Sequence, residues 1–214
     1  MCNSLVVRWT IIPRIAPQPW IACSGCGGFR AFRSSGKIRL NANGRKLDAW
    51  LVYKCTGCGR TWNRTIFERQ NVRDIDSATL EAMHSNDPDW IRAQTFNLEA
   101  LKRRAQRIDE FAQVEIRKDL LREAPGWKHL VIELSILFPT SARLDRLLAS
   151  ELRLSRSQLS AFHQAGLLTT DPDRSDSLRR RVSNGVRVMV DLSRRDDREL
   201  VWKRLAIGEN VTTA

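Results

Sequence analysis

Tyrosine is almost missing from this 214-residue chain, which has one, and histidine is nearly as scarce, with three. His84, His129 and His163 stand far apart, with no HExxH and no HxE beside a CxxC. No GxSxG occurs, and Gly36-Lys37 lacks both the earlier glycine and the following Ser/Thr of a phosphate-cradling loop. No pair of acids stands out for acid–base work. These absences predict a chain with no catalytic residues and no small-molecule substrate; an enzyme whose site the sequence conceals is a rival reading. Long hydrophobic runs are absent too. Leu130–Phe138 is broken by Glu133 and reaches half a membrane span. Met1-Cys2 is followed by Arg8 and Pro13 without an apolar core, so no signal peptide or lipoprotein leader is expected. The expectation is a soluble, cytoplasmic protein in a compartment where thiols stay reduced, with no membrane partner.

Acids are missing where cations gather. Residues 1–70 hold two, Asp48 and Glu68, against twelve lysines and arginines. Residues 71–138 are nearly balanced, and residues 139–195 carry eleven cations against six acids. The net charge of +12 therefore sits in two basic blocks around a neutral middle. Solubility needs only a modest net charge, so this excess points to an anionic partner.

Residues 5–12 read as a strand, and Pro13, Pro17 and Pro19 as a stiff lead-in to Cys23-Ser-Gly-Cys26-Gly. Residues 37–54 read as a hairpin turning at Asn43-Gly44, and Cys55-Thr-Gly-Cys58-Gly closes it before a further strand. Two C-x-G-C-G units offer two sulfurs each from tight turns. Four thiolates about 2.3 Å from one ion make the tetrahedral shell that Zn²⁺ takes in structural sites. Cys23, Cys26, Cys55 and Cys58 are the expected ligands of one structural Zn²⁺, with no position left for a catalytic water. The region resembles a zinc ribbon. Cys2, the odd cysteine, is expected to be a frayed terminal residue.

Lys37, Arg39, Arg60 and Arg64 lie within this region and are expected RNA contacts, since phosphates attract cations. Trp50 and Trp62 are interleaved with them. Both are expected in the small core of the ribbon, with stacking on a base as the alternative.

From Asp74 the pattern turns helical. Asp76 or Ser77 can cap a helix through Met83, Asp87 precedes Pro88 as a second cap, and Asn97 can cap LEALKRRAQRI. Residues 113–120 and 129–138 read as a hairpin around Ala124-Pro125-Gly126. Ser141 is the expected cap of ARLDRLLASEL and Ser155 of RSQLSAFHQA, which stops at Gly166. A loose polar segment, 169–177, precedes a last strand at 185–192, and residues 196–206 read as a terminal helix.

Arg143-Leu144-Asp145, Leu148, Ser155-Arg156 and Gly166, with the later VSNGVRV, resemble the αL-type RNA-binding domain of small-subunit ribosomal proteins and pseudouridine synthases. The resemblance implies that Arg143, Arg146, Ser155 and Arg156 contact RNA. It departs after Leu168, where TTDPDRSDSLRRR replaces the usual valine-asparagine-glycine turn. The SSGKIRLNANGRKLDAW hairpin, the RTWNRTIFER strand and the RLDRLL helix together resemble domain of unknown function family 1062, an uncharacterised bacterial family. The expected fold is α+β: a zinc-ribbon domain of antiparallel β-strands over 1–70, a helical segment and β-hairpin over 71–139, an αL-type RNA-binding module over 140–195, and a tail over 196–214. The expected function is zinc-containing RNA binding without catalysis, on ribosomal RNA or tRNA. The alternative is a zinc-ribbon protein–protein adaptor of the transcription or translation machinery.

Overall fold

The structure, a computed structural model, describes residues 3–174 and 176–208. Cys2 lies outside the described residues. The chain is α+β, with two five-stranded sheets and six α-helices among the described residues. β1 (Ser4–Pro13) comes first. β2 (Gln18–Cys23), β3 (Gly28–Asn43), β4 (Lys46–Cys55) and β5 (Thr61–Asn71) follow. Next are α1 (Ser77–Ser85), α2 (Pro88–Thr95), α3 (Leu98–Lys102) and β6 (Arg107–Asp109). The chain ends through β7 (Val114–Glu123), β8 (His129–Ile136), α4 (Leu144–Glu151), α5 (Arg156–Gln164), β9 (Leu168–Asp171), β10 (Arg187–Asp191) and α6 (Lys203–Ile207).

These elements form two compact units. One joins Met1–Arg14 to Ala112–Ala214; the other is Ile15–Phe111. The expected boundary at 70 therefore falls inside the second unit, because α1–α3 pack on its sheet, and the boundary at 139 falls inside the first.

In the first unit the strand order is β7-β1-β8-β10-β9. The expected hairpin of residues 113–138 does not form. β1 lies between its two halves, antiparallel to β7 and parallel to β8. Alternation reports which residues share a face but not which strand is the neighbour. Leu5, Val7, Trp9 and Ile11 of β1 and Leu130, Ile132 and Leu134 of β8 line one face, buried against Leu144, Leu147 and Leu148 of α4 and Leu159 of α5. The polar segment 169–177 begins as β9, whose Thr170 is buried beside β10.

Ser141 does not cap α4. Arg143 occupies the cap position, and the carbonyl of Arg180 accepts the Leu144 N–H at 3.0 Å, so a residue distant in the sequence, at the end of the 3-10 turn Ser177–Arg179, supplies the acceptor. Ser155 does cap α5: its hydroxyl accepts the Gln158 N–H, and the Gln158 side chain accepts the Ser155 N–H.

In the second unit the order is β5-β4-β3-β2-β6. Of the three lead-in prolines, Pro13 ends β1 and Pro19 lies in β2, and the helix expected through Ile108 stops at Lys102, because Arg107–Asp109 pair with β2 as an edge strand. Asp76, Asp87 and Asn97 cap α1, α2 and α3 as their spacing predicts. The hairpin β3–β4 turns in two residues, Gly44 and Arg45, with Gly44 at φ 60. Phe32, Leu51, Tyr53 and Ile21 face inward with Ile91 of α2 and Leu101 of α3. Asn86, the left-handed cap residue ending α1, accepts the Ile38 N–H at 2.7 Å and so ties that helix to β3.

Candidate metal centre

Each C-x-G-C-G unit sits at a strand end. Cys23 closes β2 and Cys55 closes β4, and both are buried. Cross-strand pairing of Phe32 with Cys55 and of Cys23 with Gly28 sets the two turns side by side. All four Sγ atoms lie within 4.8 Å of one another. Cys23 and Cys58 are 3.4 Å apart, and Cys26 and Cys55 are 3.8 Å apart. A tetrahedron with bonds of about 2.3 Å has sulfur–sulfur edges of about 3.8 Å. The four cysteines can hold a metal ion.

The two glycines of each unit do different work. Gly27 (φ 68) and Gly59 (φ 73) take the left-handed conformation that turns the chain out of the knuckle. There, the Gly27 N–H donates to the Cys23 carbonyl and the Gly59 N–H to the Cys55 carbonyl, each at 3.0 Å. Gly25 and Gly57 supply room. A Cβ on Gly57 would lie 3.4 Å from the Cys26 sulfur, and one on Gly25 would lie 3.0 Å from the Cys58 sulfur. Backbone N–H groups of Cys58 and Gly57 donate toward the Cys55 sulfur and pull its thiol down to about 6. Cys26, crowded by the Cys58 thiol and its other neighbours, is pushed up to about 12.

The cationic residues separate into three situations. Lys37 and Arg39 are exposed on β3, with Arg39 5.8 Å from the ring centre of Trp50. Arg60 is drawn onto the first knuckle, its Nη1 3.5 Å from the Ser24 hydroxyl. Arg64 cannot contact RNA as expected. It is 2% exposed and its Nη2 donates to the Gln94 carbonyl at 2.9 Å, because β5 turns it inward opposite Leu51. Burial lowers the pKa of its guanidinium. The tryptophans also divide. Trp62 packs inward against Tyr53 and Phe32, as expected, whereas Trp50 lies on the opposite, outward face.

In the first unit Arg143 and Arg156 converge on one acid. Asp145 is 7% exposed, and its Oδ2 lies 2.8 Å from Arg143 and 3.1 Å from Arg156. Arg143 precedes α4, whereas Arg146 stands on its first turn. Arg146 is exposed and lines a cavity of about 460 Å³ with Arg14 and Arg143; Arg156 lines another of about 580 Å³ with His163 and Arg179.

Sequence reading passed over Trp20 and Arg107. They are far apart in the chain, yet β2–β6 pairing sets them opposite, with the guanidinium 4.2 Å from the ring centre. The signal was a short strand, Arg107–Asp109, hidden behind a helix-like run. No curated protein and no solved structure matches the chain. Residues 40–174 match the family described as protein of unknown function (DUF1062), and this span is more than half of the sequence. The chain therefore belongs to that family, as its hairpin, strand and RLDRLL helix had suggested.

Proposed function

We propose that the chain is a cytoplasmic, zinc-containing RNA-binding protein without catalytic activity, acting on ribosomal RNA or tRNA. The observation that carries this reading is the segregation of charge in the second unit. Its acids fall mostly on the helical segment, from Asp74 to Glu99, while ten cations fall on residues 15–70 with only Asp48 and Glu68. Among the described residues no carboxylate pairs with Arg33, Lys37, Arg39 or Lys54. A field left uncompensated on the β3–β4 hairpin suits a polyanion.

The donor set supports zinc. Four thiolates on two rigid turns favour a borderline-soft tetrahedral ion, and they fill its shell, which suits a structural role in a zinc-ribbon-like knuckle pair. The likeness of residues 140–195 to an αL-type module is in keeping with the same function. Asp145 holds the guanidiniums of Arg143, before α4, and of Arg156, the first residue of α5, side by side, and a pair of guanidiniums favours a phosphate.

Metal analysis of the purified protein together with filter binding of total RNA tests the reading. One zinc per chain and RNA binding that weakens steeply with salt are expected. Zinc without RNA binding would favour the protein–protein adaptor.

A further inference from the structure

We propose that the outward face of the second unit's sheet is a platform for unpaired bases of single-stranded RNA. Trp50 with Arg39 forms one end, Trp20 with Arg107 the other, and Arg33, Lys37 and Lys54 lie between. This rests on the RNA-binding reading above and specifies where and in what form the strand is held.

The face follows from register. Inward positions of β2, β3, β4 and β6 hold Ile21, Phe32, Leu51, Tyr53 and Ile108, all packed in the cluster that includes α2 and α3. Residues directly opposite share a face, so Arg33 with Lys54, Lys37 with Val52 and Arg39 with Trp50 all point away from the helices. Trp20, opposite Ala31 and Arg107, points the same way. From the row of Ala31 to the row of Arg39 is eight residues of β3, two of them taken up by the irregularity between Ser34 and Lys37, so the sheet extends about 20 Å at 3.3 Å per residue, room for several nucleotides.

The chemistry of this face fits single strands. Two half-buried indoles, each with a guanidinium over it, offer planes on which any base can stack. Arg107 keeps its side chain 61% exposed despite its bond to Asp109. Acids on this face are occupied. Asp109 accepts the Trp20 indole N–H at 2.7 Å, Asp48 accepts the Arg69 N–H at 2.6 Å, and Glu68 accepts the Thr65 hydroxyl. Between the indoles Arg33, Lys37 and Lys54 have no carboxylate partner among the described residues, Lys54 donating only to the Thr61 hydroxyl, and they can meet phosphates. A duplex would present no base faces to the indoles.

Fluorescence anisotropy with a short labelled single-stranded RNA, and with a duplex of equal length, tests this. Wild type should bind the single strand more tightly than the duplex. Trp50→Ala should weaken binding about 5- to 150-fold, the span of stacking losses for one base, and Trp50→Phe should restore most of it. Lys37→Glu/Lys54→Glu, which alters only surface side chains, should weaken binding and flatten the salt slope with metal content unchanged. Wild-type affinity in both Trp50→Ala and Lys37→Glu/Lys54→Glu would overturn the platform, as would equal affinity for the duplex. If Arg143→Gln/Arg156→Gln abolished binding while those variants did not, RNA binding would stand and this surface would not. If wild type bound no RNA, both readings would fall together.

Discussion

Arg60 lies across Gly25, so close that a methyl group there would sit 2.7 Å from its Nε and 2.8 Å from its Cδ. The missing side chain of the first knuckle is thus the seat of a cation from beyond the second. Four thiolates around a divalent ion carry a net charge of −2, and a guanidinium set over them offsets part of it. Arg60 belongs to the surroundings of the sulfurs, although its position in the sequence suggested a contact for RNA.

Gly25→Ala should displace Arg60 and press on the Cys58 sulfur. Metal affinity should fall about 10- to 100-fold, the usual range for outer-shell changes. Competition with a coloured chelator measures it. Gly28→Ala is the matched control, since a Cβ there meets nothing within 4 Å.

Cys55→Ser should leave the chain without stably bound metal and unfold the second unit, because a structural zinc shell supplies on the order of 10–16 kcal/mol. Elemental analysis and circular dichroism follow both effects. Proton release should be uneven. With Cys55 at about 6 and Cys26 at about 12, metal uptake at pH 7 displaces the Cys26 proton, whereas Cys55 has already shed its own. Fewer than one proton per thiol should therefore appear in a weakly buffered titration.

Arg64→Met should be neutral or stabilising by about 1 kcal/mol, read as a higher urea midpoint. The buried guanidinium has one hydrogen bond, to Gln94, while its Nε and Nη1 have no partner among the described residues. An apolar side chain of similar volume avoids the desolvation of that charge. The same variant should leave RNA affinity unchanged.

Replacing Asp145 by Asn should cost about 1–2 kcal/mol, less than a fully buried pair would, since Arg156 is 58% exposed. Reversing Arg143 and Arg156 to Glu would stack three acids at one point, so Gln is the better replacement. In Arg143→Gln/Arg156→Gln the slope of log K against log salt should become shallower by about 0.7 for each phosphate of single-stranded RNA that is no longer neutralised.

How much of this was legible depended on the range of the interaction. The four cysteines could be read because each knuckle is a local turn whose glycines announce it, and the hairpin joining them carries its own turn signal. Caps such as Asp76, Asp87 and Ser155 act over three residues and were equally visible. What escaped was pairing at a distance. β1 inserts between β7 and β8, Arg180 supplies the acceptor that Ser141 was expected to replace, and Arg107 meets Trp20 across most of the second unit. The inward turn of Arg64 was hidden for a related reason. Alternation along β5 gives two faces, and a cation was assumed to take the wet one.

The central position of β1 has a consequence for the order of assembly. On a ribosome the first unit cannot close its sheet until β8 has emerged, because β1 waits for partners on both sides. Residues 15–111 need nothing made later, so they can fold first. Once folded, they shorten the effective loop between β1 and β7, whose near ends meet where the Arg14 N–H donates to the Gln113 carbonyl at 2.9 Å. Metal supply during synthesis would in this way govern how soon the amino terminus finds its place, in a unit that holds none of the four cysteines.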